Sequence, residues 1–134
     1  MTQVEVSGAA PRISHREITT FTRKVLHALD RLDDMQEISI ALVDDAKMRN
    51  LNRKFRRKKK TTDVLTFPGE ESCEIVISVD QARRQAAREK HSIATELRYL
   101  ILHGVLHGLG YDHESDNGEM NALERKTRDA VGLN

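Results

Sequence analysis

A chain of 134 residues fits a single domain, and at that length it buries about two thirds of the surface its unfolded form exposes, so it needs no staples to hold a core. Apolar residues make up 38% and charged residues 32%, and 22 Lys and Arg stand against 21 Asp and Glu; with a net charge of only +1, any electrostatic preference has to come from how the charge is distributed. The lone Cys73 has no intramolecular partner and suits a reducing cytosol.

In chain order, Gln3 to Val6 alternates like a short strand. Ser14, with Glu17 three residues on, predicts a capping-box start to a helix that Ile18, Phe21, Val25, Leu29 and Leu32 continue along one face. EISIALV (37–43) puts Ile38, Ile40 and Leu42 on one side, the pattern of a half-buried strand. Asp44 and Asp45 cap a second helix carrying Met48, Leu51 and Phe55. DVLTF (63–67), stopped by Pro68, and EIVISV (74–79) read as strands of one hairpin. Asp80 is expected to cap a charged helix ending near Lys90, and Ser92 the next, whose apolar residues fall on nearly every side and so predict a central, buried helix. A last helix is expected from about Asn117 to Val131, begun by Asp116 with Glu119 reaching back and stopped by Gly132. The sum is an α+β fold, one domain over residues 1–134, with a mixed sheet of about four strands and about five helices. The first residues lack the basic start and apolar stretch of a secretory signal, and the most apolar window, 97–109, is too short to span a membrane; a soluble, cytoplasmic protein is expected.

Half of the six histidines fall in HGVLHGLGYDH (103–113). His103 and His107 share one helix face, about 5–6 Å apart, close enough to reach one ion. Gly110 can take the left-handed conformation that ends a helix, letting His113 turn back toward them. Offsets of zero, four and ten, with glycine at seven, match the zinc pattern of the metzincin peptidases. Three neutral imidazoles leave an open position on the ion, the layout of a catalytic site. The metzincin pattern also has a glutamate directly after its first histidine, the general base. Gly104 stands there, which argues against proteolysis.

RKFRRKKK (53–60) gathers seven cations around Phe55, a positive patch suited to a phosphate polymer. Together, LNRKFRRKKKTTDVLTFP (51–68) and HGVLHGLGYDH resemble the YbeY family of rRNA maturation factors, single-strand-specific zinc endoribonucleases. The resemblance runs from about Ile38 to Gly132. It implies one Zn²⁺ held by His103, His107 and His113, and a catalytic role for Arg56. It also implies action on the 3′ end of 16S rRNA and in ribosome quality control, with single-stranded RNA and the small ribosomal subunit as partners and neither DNA nor membrane. Two positions depart from the family: Cys73-Glu74 stands where Gly-Asp is usual, and Thr61 where proline is common.

The expected chemistry is hydrolysis of a phosphodiester, with Arg56 offsetting charge on the phosphate oxygens. The base is unassigned, with Asp112 and Glu114 beside His113 as candidates that serve equally well as solvated or helix-capping acids, and attack by the substrate's 2′-hydroxyl is the other route. Glu96 and Asp63 are expected as partners behind the imidazoles. Two alternatives stand beside this reading: a metal-dependent hydrolase of peptides or small molecules, and a non-catalytic ribosome-assembly factor.

Overall fold

The computed structural model describes residues 2–32, 34–56, 64–111 and 117–133, the side chains of Phe55 and Arg56 excepted. Its elements are β1 (Gln3–Ser7), α1 (His15–Ala28), β2 (Glu37–Val43), α2 (Asp45–Arg56), β3 (Val64–Pro68), β4 (Ser72–Ser78), α3 (Val79–Glu89), α4 (Ile93–Gly108) and α5 (Glu119–Val131). The strands form one mixed sheet in the order β1-β2-β4-β3, parallel between β1 and β2 and between β2 and β4, antiparallel between β4 and β3. The expected α+β architecture, with four strands and five helices, is what the chain adopts.

Alternation in β2 buries Ile38, Ile40 and Leu42 as the pattern requires. β4 is a central strand covered on both faces: Ile75 and Ile77 join the main core with α1 and α4, and Val76 joins Met48 of α2 and Leu65 of β3 on the other side. α4 is the central helix. Leu97, Ile101, Leu102 and Leu106 are fully buried, and the helix packs on β3 and β4 with α1, α3 and α5 beside it. Among the described residues no helix is long and apolar enough to cross a membrane.

Most expected helix ends are seen, with informative shifts. Ser14 and Glu17 form the full capping box of α1, and Asp44 accepts from the Lys47 backbone N–H at 2.8 Å. α1 stops at Ala28, one turn short of Leu32, as Asp30 turns the chain with φ 55°. Ser78, not Asp80, caps α3, accepting from the Gln81 N–H. Asp80 instead accepts from the Asp45 N–H at 2.9 Å, tying the starts of α2 and α3 together across the end of the sheet. Gly118 is the N-cap of α5 and supplies no side-chain bond; the expected cap, Asp116, lies outside the described residues.

Two glycines let α4 lie close to the sheet. A Cβ built on Gly104 would meet Ile75 Cγ2 at 2.7 Å, and one on Gly108 would meet Cys73 Sγ at 2.7 Å. The departure at Cys73 is thereby accounted for: its side chain occupies the space over Gly108, so close approach is kept with the small residue on the helix instead of the strand. Burial pushes the Cys73 thiol up to about 11, which leaves it protonated and unreactive. Gly108→Ala gains about 1 kcal/mol of helix propensity but overpacks this contact at a cost of about 1–3 kcal/mol. A net loss of up to about 2 kcal/mol is expected in wild type, and none when the same change is made in a Cys73→Gly background. Denaturant melts of the four proteins measure the reversal.

Candidate metal centre

The two histidines of α4 lie one turn apart in its last turns because the helix, capped by Ser92, continues unbroken from Ile93 to Gly108. Leu109 is the C-cap, and the turn beyond it is a Schellman motif: the Gly110 N–H donates to His107 O at 3.0 Å and the Tyr111 N–H to Leu106 O at 3.0 Å. Gly110 takes φ 103°, the left-handed value that only glycine adopts without strain. The left-handed helix end expected at Gly110 is thus present, and residues 112–116 beyond it lie outside the described residues.

His103 and His107 meet tip to tip. Their Nε2 atoms are 3.0 Å apart, with ring centroids at 4.5 Å and ring planes inclined by 75°. Two imidazole nitrogens bound at about 2.0–2.1 Å to one tetrahedral ion are held about 3.3 Å apart, so the separation of these two nitrogens is within a few tenths of an ångström of what one shared ion would impose. Behind His103, its Nδ1 hydrogen-bonds Glu124 Oε1 of α5 at 2.8 Å. Beside it lies a cleft of about 190 Å³ bounded by Val64 of β3, Tyr99, Leu102, Glu124 and Arg128. Arg128 stacks over the Tyr99 ring at 5.7 Å, and Thr66 of β3 hydroxyl-bonds Gly104 O at 3.3 Å, so the edge strand runs alongside the histidine end of α4.

Of the expected site residues, the structure brings His103 and His107 together. His113 lies outside the described residues, as do Asp63, Asp112 and Glu114. Arg56 is the last residue of α2, and its side chain is outside the description. In the basic segment Arg53 and Lys54 are exposed on α2, and residues 57–60, with Thr61, are not described. Glu96 does not stand behind the imidazoles. It is buried two turns up the helix, about 10 Å along the axis, where it hydrogen-bonds the His91 ring at 2.7 Å. The partner that reading of the sequence missed is Glu124. Its only local signal is a place next to Leu123 on the helix that buries Met120 and Thr127, and nothing in the sequence pairs α5 with α4 at that register.

The family of this fold and site follows from comparison. Residues 3–132 match the family model described as endoribonuclease YbeY. The chain belongs to the endoribonuclease YbeY family. The likeness drawn from the two sequence motifs is thereby borne out, and membership places the chain among the hydrolases that cut RNA internally. An endoribonuclease YbeY from Nautilia profundicola is 49% identical over 96 residues, covering 68% of this chain and 69% of the relative. One from Anaeromyxobacter is 40% identical over 141 residues, covering 97% and 72%. Three further YbeY relatives at 48–49% identity are matched over 64–66% of their own length. The solution structure of TM1509 from Thermotoga maritima superposes with a TM-score of 0.68 at 25% identity, covering 96% of this chain and 89% of that one.

Proposed function

We propose that this chain is a zinc-dependent endoribonuclease specific for single strands, acting in the cytoplasm on the 3′ end of the 16S rRNA precursor in small-subunit maturation and quality control. The observation that carries the reading is the convergence of the His103 and His107 Nε2 atoms at 3.0 Å at the end of a buried helix. Nitrogen donors at this spacing suit a borderline-soft divalent ion such as zinc. The left-handed turn at Gly110 supports the third place for His113.

When bound, the ion supplies Lewis acidity toward a phosphate oxygen and acidifies water. His103, held by Glu124, and His107 fix its position on the rigid end of α4. Arg56 offsets the charge that develops on the phosphate, for which a planar guanidinium is suited, and the cations of 53–60 hold the backbone of the strand. With aromatic residues at only 4% and no tryptophan, recognition depends on phosphates and strand flexibility, not on stacked bases. Residue 104 looks into the sheet against Ile75, so the peptidase alternative lacks both its glutamate and the room for one.

The test is cleavage of a single-stranded RNA, and of the same sequence as a duplex, by protein of measured metal content. Zinc at one equivalent, cleavage of the single strand only, loss with chelator and recovery with zinc are expected. Chelator-insensitive cleavage, or cleavage of casein but not RNA, overturns the reading. Products ending in 5′-phosphate indicate water attack, and 2′,3′-cyclic phosphate indicates the 2′-hydroxyl route. Arg56→Ala is expected to lower the rate about 10²-fold, and RNA affinity to fall steeply between 50 and 200 mM salt, by roughly 300-fold if about six phosphates of a single strand are held.

A further inference from the structure

Glu124 belongs to no expected ligand set, yet it makes the hydrogen bond that decides which nitrogen His103 can offer. We propose that Glu124 is a positioning residue that fixes the tautomer and ring orientation of His103. For its consequence the proposal rests on the metal reading above; its geometry stands without it.

A carboxylate only accepts hydrogen bonds, so at 2.8 Å from Glu124 Oε1 the Nδ1 of His103 carries the proton. In the neutral ring the lone pair is then on Nε2, the atom 3.0 Å from His107 Nε2. Without a partner on Nδ1, the ring exchanges between two tautomers and rotates, and the lone pair faces His107 only part of the time. Glu124 is itself held. Met120 and Thr127, one turn to either side on α5, are buried at 0% and 2% exposure, and the side chains of His103 and Glu124 keep only 30% and 22% of their surface exposed. The bond therefore joins two packed helices across 21 residues of chain, and it transmits the position of α5 to one imidazole. Hydrogen bonds of this kind behind a metal-binding histidine change metal affinity by about 10–100-fold.

The experiment uses the full chain with Glu124→Gln and Glu124→Ala. In metal-free protein, long-range ¹⁵N–¹H correlation of the imidazoles reports which nitrogen of His103 is protonated. Zinc affinity is measured by competition with a chromogenic chelator, and the melting of the metal-free proteins separates positioning from packing. Wild type is expected to show protonated Nδ1. Glu124→Gln, whose amide oxygen still accepts, keeps that signature and loses less than about tenfold in affinity. Glu124→Ala shows mixed tautomers and about 10–100-fold weaker binding, with metal-free melting close to wild type. An unchanged signature and unchanged affinity in Glu124→Ala overturn the proposal. So does a loss that Glu124→Gln shares in full and that tracks destabilisation of the metal-free protein, because a packing role alone accounts for it. If wild type takes up no zinc, it is the metal reading that fails, and the tautomer signature alone decides whether Glu124 orients the ring.

Discussion

His107→Ala is expected to abolish RNA cleavage, by at least about 10³-fold in rate, with the fold intact. A bound divalent ion contributes several kcal/mol of charge stabilisation to a reaction at phosphorus, and each 1.4 kcal/mol or so is tenfold in rate. Removing one of three expected ligands takes away both the ion's affinity and its placement against the substrate. His107 is only partly buried and lies in the last turn of α4, so its loss should change stability by about 1 kcal/mol. Metal content, rate on single-stranded RNA at saturating zinc and thermal melting measure the three effects. A variant that keeps more than a tenth of wild-type activity sinks the proposal that the α4 histidines hold the catalytic ion. A variant that loses cleavage but still supports ribosome maturation favours the assembly-factor alternative.

Gly104→Glu, which would restore the metzincin base, is expected to unfold the domain instead of creating a peptidase. A single carbon at this position already meets three atoms of the Ile75 side chain at 2.7–3.3 Å, and Ile75 has no exposed surface. The rest of a glutamate would have to enter the core between α4 and β4. Overpacking costs about 1–3 kcal/mol, and an unpaired carboxylate in apolar surroundings several more. Against a typical domain stability of about 5–15 kcal/mol, a loss of about 4 kcal/mol or greater leaves little soluble protein. Gly104→Ala isolates the steric part and should be the milder of the two. Soluble yield, melting temperature and casein cleavage are the measurements, and a stable variant that digests casein contradicts the packing described here.

The local features of the fold could be read from the chain because they depend on neighbours in sequence. The capping box at Ser14 and Glu17 is set by residues three apart, the burial of β2 by alternation, and the β3-β4 hairpin by turn residues between two short β-rich runs. The centrality of α4 followed from apolar residues around its whole circumference. What depended on distant pairing could not be read. Asp80 looked like a cap because it opens a helical stretch, but Ser78 lies closer to the free N–H groups and the Asp80 carboxylate finds Asp45, 35 residues away. At the site, His103 and His107 were legible because helical spacing alone brings them together. Glu124 was not, and Glu96 was named in its place: both are acids on helices, and only the packing of α5 on α4 shows which one reaches an imidazole.

The histidine pair occupies the last two turns of a 16-residue helix, and that end has an electrical character of its own. Aligned peptide dipoles leave roughly half a negative elementary charge at a helix's C-terminus, where a cation gains about 0.3–1 kcal/mol per unit charge when exposed. On the metal reading proposed above, a doubly charged ion held by His103 and His107 would gain from this field of the backbone itself. On the same reading, an approaching phosphate would meet that field with the opposite sign, and the double charge of the ion, larger than the half charge of the helix end, would more than offset it.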